Sequence, residues 1–473
     1  MKSAWRELAP APSAHRDVKA RLRRSASCVA LTCFALTLLV SATPAFAQTQ
    51  SAAASGEFVL QELSVVSIAP HGDSALAPPL SGFFDDGEQG SSTPREFEVY
   101  GFGQVDVIHD FGRLDPAWDD AFRPSKIPTT TGAFGEDGQS SVSVKQSRLG
   151  ARMAGDAAER DYEVKVEFDL FGVGVDAGQT TFRLRHAYGR WGPILGGQTN
   201  SLFMDGDLFP NTIDYWGPTG MVFLRNPQLR FYLMENEEFL AAVALEKPSN
   251  DIDAGLIRVF DPELSGGLTN SEELPDLTAQ VRWTRESGHL QASGILRRIG
   301  FETLGDVDGP SGAELGWGIN LGGVFSTGPA TFRLGVVYGE GIASYMNDGG
   351  MDLAPQVTTA GVPPNVIIVD AEAESVPLLG VTAYVDFAWS ETLSSALGYS
   401  FTEVDNTNFQ EATAFHRGDY ASVNLLWAPA SNVMTGVELL WGQREDNDGD
   451  SGNDIRLQYS FKVSFSSGNL LAD

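Results

Sequence analysis

The sequence is poor in the residues that build disulfide frameworks and metal modules: 473 residues hold two cysteines and six histidines. Zinc modules and cysteine scaffolds need spaced sets of those residues, so no metal centre and no cofactor is expected. Positive charge is also scarce, with 32 Lys+Arg against 62 Asp+Glu and a formal charge of −30. A nucleic-acid binder needs a basic surface, so that class is excluded. The strings H-E-x-x-H and G-x-S-x-G do not occur, and pairs such as Gly101/Gly103 and Gly339/Gly341 lack the third glycine of a dinucleotide fingerprint. His109 and His186 have no obvious Ser or Cys partner, so the chain does not read as an enzyme. The stretch Asp446–Asp450 begins like a calcium loop, but the sixth position is Ser451 and the twelfth is Leu457, so it reads as an acidic turn.

Residues 1–47 read as a secretory signal peptide. Arg21, Arg23 and Arg24 precede the mostly apolar run Cys28–Val40, and Ala45-Phe46-Ala47 offers a cleavage site. The run has 13 residues, whereas a helix that crosses a bilayer needs about 20. Cleavage after Ala47 removes seven Lys/Arg and two Asp/Glu, leaving 25 against 60, and it removes both cysteines. The exported chain must therefore be held together without disulfides. Residues 48–95 are rich in Ala, Ser, Pro and Gly and acidic, and read as a flexible leader.

From Phe97 the pattern changes to segments that alternate apolar and polar with a period of two. Tyr162, Val164, Val166, Phe168 and Leu170 face one way, and Glu163, Lys165, Glu167 and Asp169 face the other. The last segment sets Ile455, Leu457, Tyr459, Phe461, Val463 and Phe465 against Arg456, Gln458, Ser460, Lys462 and Ser464. Period two means strands with one apolar and one polar face. Sixteen such segments start near Phe97, Ser147, Tyr162, Thr181, Ile194, Gln228, Phe239, Leu277, His289, Gly316, Thr331, Leu378, Thr392, Tyr420, Val433 and Ile455. Short connections alternate with long ones such as Phe111–Gln146, Ser201–Pro227 and Gly339–Val376. That alternation predicts an all-β, 16-stranded antiparallel transmembrane barrel over residues 96–466, with residues 467–473 as a tail. A soluble sandwich would have similar loops at both ends. Trp191, Trp283, Trp389 and Trp427 fall beside short turns, and Trp317 and Trp441 beside long loops, as two interfacial girdles would require. Closure satisfies every strand edge and supplies the stability that disulfides do not.

With the apolar face toward lipid, the polar face lines a water-filled lumen. The inward register gives Arg148, Arg152, Lys165, Arg183, Arg185, Arg230, Arg282, Arg297, Arg333, Arg456 and Lys462, against Glu98, Asp106, Glu163, Glu167, Asp169, Asp386 and Glu438. A basic excess would draw anions, unless these arginines serve to brace the wall by pairing with the acids. The third long connection, Ser201–Pro227, carries Phe203, Phe209, Tyr215, Trp216 and Phe223 with Asp205, Asp207 and Asp214. Outer loops need few aromatics, so this one is expected to fold inward and face the wall arginines with its acids.

The run RLRHAYGRWGPILGGQTNSLFMD (Arg183–Asp205), the following Phe209–Phe231, the opening YGFGQVDVIHDF (Tyr100–Phe111) and SRLGAR (Ser147–Arg152) resemble the DcaP-like porins of Gram-negative outer membranes. The resemblance implies a homotrimer in outer-membrane lipid and lipopolysaccharide and passive uptake of small anionic solutes such as dicarboxylates. It also implies wall arginines at Arg183, Arg185 and Arg230 and a constriction loop from Asp205 to Arg225. Two departures stand out. The leader shows no coiled-coil heptads, and Phe465 is followed by eight further residues where such strands commonly end on an aromatic. Two other readings remain at this point: a substrate-specific channel with a saturable site, and a surface receptor or adhesin using the long acidic loops.

Overall fold

The computed structural model describes residues 96–467, with 307 and 363 excepted. The expected signal peptide, leader and all of the tail but its first residue lie outside the described residues. Within them the apolar–polar alternation becomes sixteen barrel strands. The first eight are β1 (Glu96–Asp110), β2 (Arg148–Ala157), β3 (Arg160–Phe171), β4 (Thr180–Trp191), β5 (Ile194–Asn200), β6 (Arg225–Glu235), β7 (Phe239–Glu246) and β8 (Asp276–Arg285). The second eight are β9 (Gly288–Thr303), β10 (Gly312–Thr327), β11 (Ala330–Glu340), β12 (Pro377–Ala388), β13 (Leu393–Val404), β14 (Phe415–Ala430), β15 (Val433–Asp446) and β16 (Ser451–Ser466). Each pairs antiparallel with its sequence neighbours, and β1 closes the sheet on β16 with Gly101 opposite Phe465.

The facing rule is inverted relative to a soluble protein. On β16, Ile455, Leu457, Tyr459, Phe461, Val463 and Phe465 are 39–45% exposed, whereas Arg456, Gln458 and Ser460 are fully buried. The same alternation recurs around the barrel, with Leu334, Leu397, Val423 and Leu439 exposed and Arg297, Thr382, Ser400 and Glu438 buried. A continuous apolar exterior of this extent is costly in water and favourable against hydrocarbon. Trp191, Trp283, Trp389 and Trp427 are exposed at the end that carries the short turns, where an amphipathic ring suits the membrane interface.

Several strands run past the expected bounds: β10 begins at Gly312, β14 at Phe415 and β16 at Ser451. A tilted strand needs only about 9–11 residues to cross hydrocarbon. Beyond that band both faces meet polar surroundings, so the alternation fades while the hydrogen-bonded ladder continues. The long connections also contain structure that the pattern did not announce. Gln139–Ser143 pairs with β1, Leu268–Ser271 pairs with β9, and Leu353–Val362 with Asn365–Ser375 forms a separate hairpin. The third long connection ends at Leu224, because Asn200 already pairs with Arg225 and Gln198 with Pro227. Arg225 is therefore the first residue of β6 and not a loop residue, which corrects its assignment to the constriction loop.

Candidate functional site

The third connection, residues 201–224, spends its polar groups on the polar faces of distant strands. The Phe203 carbonyl accepts from Ser293 Oγ (2.9 Å) and Asn320 Nδ2 (2.8 Å), on β9 and β10. Asp205 lies 2.8 Å from His289 Nε2 and 3.7 Å from Arg282 Nη1, and Asp207 bonds Arg282 as well. The backbone N–H groups of Ile213 and Asp214 donate to Glu438 on β15 (2.8 and 3.0 Å). Asp214 also accepts from Phe122 N–H (3.0 Å) and from Tyr420 Oη (3.2 Å). Gly220 N–H donates to Ser400 Oγ (2.7 Å) on β13. Few other residues could occupy Gly220, since an added Cβ would stand 2.1 Å from the Phe401 carbonyl and 2.5 Å from the Val381 carbonyl. The aromatic content that marked this segment now has a reason. Phe203 is fully buried against Tyr345 and Ile342, and Phe209 packs on Phe223.

The loop's acids do not face Arg183 and Arg185. Those two arginines meet Tyr215, whose hydroxyl lies 3.0 Å from Arg185 Nη1 and also bonds Arg183. The expected opposition of loop acids and wall arginines is a direct contact at Arg282, and Arg456 faces Asp214 through its charge. The reason is register: Asp205 and Asp207 sit early in the segment, beside β8 and β9, and Asp214 turns to β14. Burial pushes the Asp207 carboxyl up, but the hydrogen bond and charge of Arg282 overcome this and hold it below its ordinary value. Burial raises Asp214, against the opposing pull of Arg456 and its backbone donors. Asp205, Asp207 and His289 have the make-up of a metal cluster, with ligand atoms within 4.8 Å of one another. Arg282 already supplies the positive charge between the two carboxylates, and its Nη2 lies 3.1 Å from His289 Nδ1.

The wall opposite is a basic ladder on β2–β6. Arg183 bonds Asp169 twice (2.9 and 2.6 Å), and Arg185 bonds Glu167 (2.7 Å) and Asp169 (2.9 Å). Glu167 also serves Arg148 and Lys165, each at 3.5 Å. Two carboxylates are thus shared among four cations. Arg152 stands 3.9 Å from Glu96 and Glu98 near the short-turn end. Among the described residues Arg230 bonds only neutral groups, including Gln228 Oε1 (2.8 Å) and the Asn200 carbonyl (2.6 Å). Arg225 has no carboxylate partner among the described residues, and its buried Nε has no hydrogen-bond partner. Its guanidinium lies 4.8 Å from the Phe223 ring centroid.

Elsewhere the polar faces carry acids that the alternation did not assign inward: Asp110, Glu246, Asp276, Asp419, Asp446 and Asp454 are all buried. Asp110 pairs with Arg456 (2.6 Å), Asp276 with Arg297 (3.0 Å) and Asp446 with Arg444 (2.7 Å). The count of bases over acids therefore fails as a description of the whole lumen. These acids lie toward strand ends, where the alternation is weakest. Asp446, from the calcium-like stretch, is taken up by Arg444 and Thr129. His109 lies 2.8 Å from Ser140 Oγ at an exposed position, a pairing hidden in sequence because the partner sits on a different strand.

Above the ladder opens a cavity of about 760 Å³. Its wall includes Arg183 and Arg225 from the strands, Tyr215 and Trp216 from the third loop, and Arg123, Arg258 and Arg444 from the other long connections or their bases. Arg123 lies between two indoles, 4.1 Å from Trp118 and 4.2 Å from Trp216, and pairs with Asp348.

The family model described as the DcaP outer membrane protein matches residues 90–258. That segment contains the basic ladder, the third loop and Arg225. Residues 90–258 are thus similar to the DcaP outer membrane protein family, and the chain is an outer-membrane β-barrel of porin fold. Its fold is similar to the outer membrane channel DcaP of Acinetobacter baumannii, at a TM-score of 0.65 and 23% identity, over 78% of this chain and 97% of that one. An anion-selective porin from Comamonas acidovorans (TM-score 0.48, 10% identity, 79% and 100% covered) and OmpT of Vibrio cholerae (TM-score 0.47, 10% identity, 80% and 100% covered) also align. No curated protein matches the sequence.

Proposed function

We propose that this porin passes small hydrophilic anions, of the dicarboxylate class, by diffusion past a constriction formed by residues 201–224, without chemical conversion of the solute. The observation that carries the reading is Arg225. It is a cation on the wall of a 760 Å³ cavity, with no carboxylate partner among the described residues and a buried Nε without a hydrogen-bond partner there. Beside it, four further cations share two carboxylates. An unpaired guanidinium in a confined aqueous space attracts anions and can bind a carboxylate in a fork. Tyr215 and Trp216 add flat surfaces at the same wall, which favours transient residence of a solute over featureless flow. A homotrimer in lipopolysaccharide-containing membrane is the assembly that the resemblance implies, and we propose it on that ground.

The test is the reversal potential of the purified porin in a planar bilayer across a salt gradient. Anion preference is expected, and Arg225→Gln with Arg230→Gln should move the potential toward the cation side. A cation preference in the parent protein, or an unchanged potential in the variant, overturns the reading. Dicarboxylates added to one chamber separate general from saturable passage, since only a saturable site gives block that levels off with concentration.

A further inference from the structure

We infer that the solutes held best in the 760 Å³ cavity carry an ammonium group as well as carboxylates, the chemistry of an α-amino dicarboxylate. The cavity wall presents uncompensated groups of both signs once every paired charge is set aside. Arg123 is taken by Asp348, Arg183 by Asp169 and Arg444 by Asp446. Arg258 serves Asp253 (2.8 Å) and Glu411 (3.1 Å) together. Three charged side chains of the wall then remain without an ion-pair partner among the described residues: Arg225, Lys126 and Asp251. Two are cations and one is an acid. Asp251 thus adds to the anion site at Arg225, on which the proposal rests, a second contact of opposite sign.

Asp251 is fixed through its backbone, which leaves the carboxylate free. Its N–H donates to Asp352 Oδ2 (2.9 Å), and its carbonyl accepts from the N–H groups of Asp352 (2.9 Å) and Leu353 (3.2 Å). Ile252 bridges Leu353, so the alternation of an extended segment sends Asp251 and Asp253 to the same side, and both line the cavity. Burial, then the like charge of Asp352, push the Asp251 carboxyl up. Arg297 opposes this through its charge, but that guanidinium is bound to Asp276 and Asp352. Lys126 is the mirror case, its ammonium pushed down by burial and then by the charge of Arg123. Each group is short of counter-charge, and an arriving one relieves both. A solute with two carboxylates and one ammonium matches two free cations and one free acid in number and sign, each contact a charge-assisted hydrogen bond. Two carboxylates alone leave Asp251 unanswered and bring like charge toward it.

The experiment is block of single-channel current at neutral pH by L-glutamate and by glutarate, which share a carbon chain and both carboxylates and differ in the ammonium. Net charge alone favours glutarate, the more anionic of the pair, so the expected order runs against simple attraction. L-Glutamate should half-block the current at about a five-fold lower concentration than glutarate, the effect of one partly exposed ion pair. N-Acetyl-L-glutamate, whose nitrogen is a neutral amide, should block as glutarate does. Asp251→Asn should bring the ratio between L-glutamate and glutarate to about one. A ratio of one or less in the parent protein overturns the proposal, as does equal block by L-glutamate and its N-acetyl form, or a ratio that Asp251→Asn leaves unchanged. The comparison of solutes uses the parent barrel, so it decides the matter even if the variant fails to assemble. Block by glutarate alone removes the ammonium contact and leaves the passage of dicarboxylates standing, whereas a cation-selective reversal potential refutes the function proposed above.

Discussion

Arg297 on β9 offers a direct measure of what holds the outer half of this barrel together. Its guanidinium is buried, 3.0 Å from Asp276 on β8 and 3.1 Å from Asp352 in the connection between β11 and β12. It also donates to the Gly341 carbonyl (2.7 Å) and to Asn250 Oδ1 (3.0 Å), and lies 4.9 Å from the Tyr345 ring. One side chain thus ties the sheet to two long loops. Arg297→Met preserves much of the stem but leaves two buried carboxylates without their cation. Breaking a buried ion pair from one side costs about 3–5 kcal/mol, chiefly from the abandoned charge. Two acids are stranded here, so the upper part of that range is expected. Adding Asp276→Asn and Asp352→Asn to Arg297→Met removes the stranded charges and should return more than half of the loss. Urea unfolding of the porin in detergent, followed by tryptophan fluorescence, reads both values. A cost for Arg297→Met below about 1 kcal/mol, the level of an exposed ion pair, would refute the account of a water-excluded network.

Three further outcomes are expected. Leu439→Arg puts a charge on the lipid face and should lower the folding free energy in liposomes by about 2–4 kcal/mol, while Leu439→Phe should be nearly neutral. Asp119, in the connection after β1, has its carboxyl pushed up to about 6 by burial and then by the charge of Asp120. The raised value means that the folded loop binds a proton that the unfolded chain has released. Its stability should therefore fall as pH rises from the ordinary carboxylate range through about 6. Hydrogen exchange of residues 115–127 at pH 4 and pH 7 checks this, and Asp119→Asn should flatten the difference. Gly220→Ala forces a Cβ against the Phe401 and Val381 carbonyls, so the third loop should lose its seat on β12 and β13. Open-channel noise in bilayer recordings should increase, whereas Gly103→Ala, with nothing within 4 Å of the added atom, should leave the recordings unchanged.

The barrel was legible from sequence because a strand that separates hydrocarbon from water must alternate, and each of the sixteen segments does so. Ile194, Phe239 and Val433 mark strand starts to within a residue, since there the apolar band meets a short turn directly. The long-loop ends of β10, β14 and β16 were read short because polar residues on both faces leave no period to detect. Arg183, Arg185 and Arg282 were recognised as wall residues by parity alone. Their partners were not, because parity says which face a side chain takes and nothing about which distant residue it meets there.

What the sequence determined by itself is therefore everything local to a strand: its existence, its two faces, and the alternation of turn and loop. Only the tertiary structure decided how the charges cancel. Asp205 and Asp207 went to Arg282, Tyr215 went to Arg183 and Arg185, Asp276 went to Arg297, and Arg225 was left without a carboxylate among the described residues. Pairing of this kind depends on where closure of the barrel brings residues far apart in the chain. Electrostatic energy is set by ångströms of separation and by exclusion of water, and neither quantity is written in the order of residues along the chain.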